Sequence, residues 1–286
     1  MLADELGCRR NVVMKLGGSI FNSPISYRRA ACFISQRLAA NPEENLVVVV
    51  SAQNGETDEL LREAQAIVDE PGEAALDLLW STGELRSVAR LALHLQAAGI
   101  RAAALDVRQT GLRIAARGLG VARAEFDATE IRRALRTNRV VIVPGFLATD
   151  QAGAIATLGR GGSDLTAVLL AAGLGATRCE LIKDVPGYFT RDPNRNANAL
   201  HIARLSFIEA IAMANSGCDL VQRAALEAAE RCNLPIVVRS LEENAAESWV
   251  TAMANGVAEE AIFVEGPSEV VDETDLTTIS TGNTRD

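Results

Sequence analysis

Six short apolar runs constrain this chain more than any other feature. Val12-Val13-Met14-Lys15-Leu16, Leu46–Val50, Ala102–Leu105, Val140–Val143, Cys179–Ile182 and Ile236–Arg239 read as strands with little or no polar face. Helical patterns alternate with them: Ser26–Ala39, Asp58 to about Val68, Glu73–Ala98, Thr129–Thr137 and a helix beginning near Ser163. Ser206–Ala214 and Leu220–Arg231 are helical patterns before the last run. Strands apolar on both sides and alternating with helices are the pattern of an α/β fold, a mainly parallel sheet covered by helices on both faces.

The ends of these strands carry the chemistry. Thr157-Leu158-Gly159-Arg160-Gly161-Gly162-Ser163-Asp164 places three glycines in four positions directly before a helix. Such a turn lets backbone N–H groups approach an anion at the positive end of a helix dipole. Arg160 adds a planar fork suited to a carboxylate. Glycines required only by a strand-to-helix turn would look the same, so the neighbouring motifs must decide. Lys15-Leu16-Gly17-Gly18-Ser19 is a second strand end, a lysine beside a glycine turn, although it lacks the spacing of a P-loop. After Leu46–Val50 comes the small, polar loop Ser51-Ala52-Gln53-Asn54-Gly55-Glu56-Thr57-Asp58, where open α/β sheets bind ligands. Ser81-Thr82-Gly83-Glu84 interrupts the Glu73–Ala98 pattern at a cost that a partner or ligand must offset, which makes Glu84 a candidate for recognising a cation.

The 28 basic residues include only two lysines, Lys15 and Lys183, and both stand at strand ends. A lysine is a compact point charge on a flexible stem, suited to a phosphoryl group in transfer. The net charge of −9 is concentrated in residues 241–286, where eleven Asp and Glu face the single Arg285. A near-neutral remainder without a basic stripe argues against nucleic-acid binding. No apolar run reaches the roughly 20 residues of a membrane span, and Met1–Arg10 lacks the apolar core of a signal peptide, so a cytoplasmic protein without a membrane partner is expected. The five cysteines form no C-x-x-C pair, and His94 and His201 have no second ligand at metal spacing. The expected organisation is a catalytic domain over residues 1–240 and an acidic extension over 241–286. The extension holds one candidate strand at Ala261–Val264, with disorder expected after about Asp272.

Taken together, Thr157–Thr166, Leu79–Ala89 and Lys183–Pro193 resemble the aspartate kinase branch of the amino acid kinase family, and the resemblance runs from Val12 to about Ser240. It implies a three-layer helix–sheet–helix sandwich and transfer of the γ-phosphoryl group of ATP, with Mg2+, to the side-chain carboxylate of a small amino acid such as aspartate. It further implies that Lys15 neutralises the transferring group, that Gly17, Gly18 and Ser19 hold phosphates, and that Asp164 orients Lys15. By the same resemblance Arg160 clamps the substrate α-carboxylate and Glu84 its ammonium. Ser51, Thr57, Gly161, Gly162 and Ser163 complete that pocket, and Lys183, Asp184 and Phe189 border the nucleotide. A homodimer is a family expectation.

There are departures. The family's Gly-Ala-Lys motif is Gly217-Cys218-Asp219 here, so a phosphate-binding lysine is replaced by a carboxylate that would repel phosphates. Asn194 stands where an arginine is common, and Gln53–Glu56 departs from the usual loop. Lys183 replaces a small hydroxyl residue, a position where the uridylate kinase branch often carries lysine, and would restore the missing charge. The 46 residues after Ser240 are too few for the family's paired ACT domains, so control through them is not expected. The departures leave open a kinase of another amino acid or carboxylate in a specialised pathway, or a non-catalytic ligand-binding homologue.

Overall fold

The computed structural model describes residues 9–115, 124–159, 161–242 and 245–252. In chain order the elements begin β1 (Arg10–Leu16), α1 (Pro24–Ala40), β2 (Glu44–Val50), α2 (Glu56–Ile67), α3 (Glu73–Ala97) and β3 (Ala102–Ala104). Next come β4 (Leu112–Ile114), β5 (Ala124–Phe126), α4 (Thr129–Leu135), β6 (Val140–Pro144), β7 (Leu147–Thr149), β8 (Ile155–Thr157) and α5 (Gly162–Leu174). The rest are β9 (Cys179–Ile182), β10 (Tyr188–Phe189), β11 (His201–Ile202), β12 (Arg204–Ser206), α6 (Phe207–Asn215), α7 (Arg223–Arg231), β13 (Ile236–Arg239) and β14 (Ser248–Thr251).

All six apolar runs are strands of one eight-stranded sheet, ordered β12-β14-β13-β9-β1-β2-β6-β3. Every pairing from β13 to β3 is parallel. Successive residues of a strand face opposite sides, so a strand apolar throughout serves two layers. Val13, Val47, Val49 and Leu181 pack with α4, α5, α6 and α7, whereas Val12, Met14, Leu46 and Val48 pack with α1 and α3. This is the three-layer sandwich expected from the alternation.

β1 lies between β2 and β9, and the chain winds outward from it in both directions. A crevice therefore opens beyond the carboxyl ends of these strands, the place where doubly wound sheets take ligands. The opposite ends are closed by charge. Glu44 at the start of β2 and Glu180 in β9 are buried, and each pairs with both Arg37 of α1 and Arg178.

Some elements differ from the sequence pattern. The Ser81–Glu84 break is absent, and α3 is continuous because Ser81 and Thr82 donate their hydroxyls to the carbonyls of Leu78 and Leu79 at 2.6 and 2.8 Å. A second sheet, β5-β4-β7-β8, consists of three-residue strands too short to leave a periodic signal. The large sheet also takes in β14, beyond residue 240, which runs antiparallel to β13 and parallel to β12. The Ala261–Val264 strand and the segment after Asp272 lie outside the described residues.

Candidate active site

At the carboxyl ends of β1, β2 and β9 lies a cleft of about 730 Å³. Its floor holds the two lysines. Lys15 comes from the end of β1, Lys183 follows β9, and the carboxylate of Asp164, in the first turn of α5, binds both. Lys15 Nζ lies 2.9 Å from Oδ1 and Lys183 Nζ lies 2.8 Å from Oδ2. Burial by itself would raise the Asp164 carboxyl, but the two ammonium groups outweigh it and hold the acid well below the usual carboxylate range. Burial pulls Lys183 below an ordinary lysine, and Asp164 opposes that shift. The centre thus carries two cations and one permanent anion, a net positive charge facing the cleft.

Glycine-rich turns bring backbone to this centre. Gly161 caps α5 with φ 77°, and a Cβ there would lie 2.2 Å from Gln222 Cγ, so only glycine fits. Gly145 has no side chain to collide with Ser163, whose hydroxyl accepts from Ser51 Oγ at 3.1 Å. Gly18 faces the carbonyl of Ala52 and lines the cleft, while Gly17 is buried with its would-be Cβ 3.0 Å from Lys15 Nζ.

The wall opposite is α3. Glu84 is 3% exposed, and its Oε2 has no hydrogen-bond partner among the described residues. Burial pushes its carboxyl up to about 8 against the pull of the Ala52 N–H and Lys15, and nearby Glu56 adds to the rise. One turn earlier, Trp80 donates its indole N–H to the Thr57 carbonyl at 3.1 Å and meets the Phe146 ring edge-on. Phe146 has φ 64°, a left-handed backbone rare outside glycine, and its N–H is held by Thr166 Oγ1.

The cleft therefore brings together Lys15, Gly18, Ser51, Thr57, Glu84, Gly161, Gly162, Ser163, Asp164 and Lys183. Gly17 stands behind Lys15. Exposed Ser19, exposed Asp184 and Phe189 of β10 are not among its lining residues, and the Phe189 ring rests against His201. Arg160 lies outside the described residues. Asp219 and Asn194 are exposed and do not line the cleft. Trp80, Phe146, Thr157 and Gln222 line it too, although the sequence reading gave none of them a role. Trp80 precedes Glu84 by four residues and so shares its helix face, and Phe146 follows a strand end, signals that were readable. Gln222 arrives from a distant turn and left none.

The Amino acid kinase family model matches residues 10–240. An aspartokinase of Geobacillus stearothermophilus is 38% identical over 233 residues, covering 82% of this chain and 57% of that protein. The chain thus spans little more than half the length of this curated relative. The aspartate kinase of Synechocystis superposes with a TM-score of 0.75 at 34% identity, covering 85% of this chain and 40% of the other. Aspartokinase III of E. coli, solved in complex with aspartate and ADP, does so with a TM-score of 0.71 at 27% identity, covering 85% and 65%. With a matched region that takes in the large sheet as far as β13 and every described residue of the cleft, the chain belongs to the amino acid kinase family.

Proposed function

We propose that the chain transfers the γ-phosphoryl group of ATP to the side-chain carboxylate of aspartate, giving an acyl phosphate and ADP. The observation that carries this reading is the pair of lysines held on one buried carboxylate at the foot of two glycine turns. Phosphoryl transfer asks a protein mainly for alignment and charge stabilisation, and this arrangement provides both. The complex of the E. coli relative with aspartate and ADP agrees with the pair of ligands.

In this reading Lys15 and Lys183 meet the oxygens of the transferring group, and Asp164 keeps two like charges side by side. The N–H groups of the Gly17–Gly18 turn and of the α5 N-terminus hold phosphate oxygens. Glu84 receives the acceptor ammonium, and Ser51, Thr57 and Ser163 orient the acceptor. Its carboxylate, ionised at neutral pH, attacks phosphorus directly while the bond to ADP breaks, so no protein nucleophile is required. No group of three or more His, Cys, Asp or Glu among the described residues is placed to hold a metal. Magnesium would arrive on the nucleotide phosphates and supply further charge neutralisation there.

The test is ADP release with Mg-ATP and a panel of amino acids, the acyl phosphate being trapped with hydroxylamine. Turnover with aspartate, reduced about 10²- to 10³-fold or more in Lys15→Ala, is expected, the scale of losing a group that stabilises transition-state charge. Turnover with another acceptor alone would replace aspartate in this reading, and nucleotide binding without any turnover would overturn it.

A further inference from the structure

Beneath the acceptor wall of the cleft lies a second carboxylate that the proposed reaction does not use. Glu56, in the first turn of α2, is 6% exposed and does not line the cleft. It reaches α3 because residue 83 is glycine: a Cβ there would lie 3.2 Å from Glu56 Cδ and 3.1 Å from Ala52 Cβ. Its Oε1 pairs with Arg86 at 2.6 Å, and its Oε2 accepts the Gln53 N–H at 3.2 Å. Arg90 in turn donates to Gln53 Oε1 at 3.0 Å. Two buried acids, Glu56 and Glu84, thus lie near enough for the charge of one to act on the other, and among the described residues only Glu56 of the two pairs with an arginine.

We propose that Glu56 and Arg86 are positioning residues that tune the charge of buried Glu84, so that the acceptor subsite stays uncharged while empty and becomes anionic when a cationic group enters. The inference rests on the reading of Glu84 as the residue that receives the acceptor ammonium. Burial does most to raise the Glu84 carboxyl, and four groups act besides it. From β1, Lys15 favours its ionised form, and so does the Ala52 N–H; from α2, Glu56 disfavours it. From α3, Arg86 is the counter-ion that offsets Glu56. Asp164 is already paired with both Lys15 and Lys183. Among the described residues nothing pairs with the Glu84 Oε2, which fits this arrangement, since a buried carboxylate without a partner would pay its full desolvation cost, whereas a protonated acid does not. An arriving ammonium displaces that proton to solvent, so the subsite discriminates by charge: a ligand lacking the cation leaves Glu84 neutral.

Opposite shifts from the two partners distinguish this from a packing role. Glu56→Gln removes the repelling charge and leaves Arg86 free, so Glu84 ionises at lower pH. Arg86→Gln frees the Glu56 charge, so Glu84 ionises at higher pH; Arg86 is half exposed, which favours folding of that variant. The first measurement needs no ligand: 13C NMR titration of the glutamate carboxyl carbons, with Glu84 assigned by the Glu84→Gln spectrum. Midpoints that move down in Glu56→Gln and up in Arg86→Gln are expected. Unmoved midpoints, or midpoints that move the same way, overturn the proposal. Calorimetry of aspartate binding in buffers of different ionisation enthalpy then tests the underlying reading. Wild-type protein is expected to release a proton near neutral pH, and less of one in Glu56→Gln. If aspartate binds equally well to Glu84→Gln, the ammonium reading fails, while the titration still decides whether Glu56 and Arg86 govern Glu84.

Discussion

Gly161 combines a left-handed backbone with a van der Waals contact against Gln222 that leaves no room for a methyl group. Gly161→Ala should therefore cost about 1–3 kcal/mol and displace the start of α5, measured as a lower denaturant midpoint together with weaker nucleotide binding. Glu84 makes an opposite kind of demand. Its carboxyl lies at about 8 in the folded chain against an ordinary 4.5. Below pH 4.5 both folded and unfolded states hold the proton, and burial costs nothing through ionisation. Between 4.5 and about 8 the unfolded chain releases it while the folded chain retains it, so stability declines as pH rises through this window and levels off above it. Melting temperatures of Glu84→Gln should fall less than those of the wild type from pH 5 to 8. Equal slopes would mean that Glu84 ionises normally.

At the scale of the element, α3 is the most instructive helix. Serine, threonine and glycine in mid-helix read as an interruption, yet the two hydroxyls turn back to carbonyls one turn earlier and the glycine admits Glu56 from α2. The sequence signal was real, but what it marked was a contact with another element. The amino-terminal ends of β2 and β9 follow the same logic with charge. The buried Glu44 and Glu180 are fastened to the partly buried Arg37 and Arg178 in a neutral quartet, which ties α1 to two strands. Arg178→Met, which strips two carboxylates of a partner, should destabilise the fold by about 3–5 kcal/mol in urea unfolding. A loss under 1 kcal/mol would show that solvent reaches the pair. Periodicity could not foresee this quartet, because its members are scattered from residue 37 to residue 180.

For the whole molecule, the central strands were legible because burial on both faces forces an apolar run with few alternatives. Lys15, Asp164 and Lys183 were legible for another reason: each stands at a strand end or the start of a helix, where backbone geometry departs from the regular pattern, whereas Glu84 was legible because it follows two hydroxyls and a glycine that are costly in mid-helix. Glu56 and Gln222 were not, since one acts from beneath the cleft and the other packs on a glycine 61 positions away in sequence, Gly161 against Gln222. The small second sheet was missed because three residues are too few to establish a period.

The place of β1 also governs the order of events in folding. It meets β2 soon after both are made, but its other edge waits for β9, where Val13 pairs with Cys179. As the chain leaves the ribosome, β1 therefore stands as an open edge through most of synthesis, a template for pairing with the wrong strand. Closing so distant a pairing is slow, because the entropy of the intervening loop is lost before the contact forms. Lys15 and Lys183 are brought together only by that late closure, so the two-lysine floor of the cleft comes into being only when β9 joins β1.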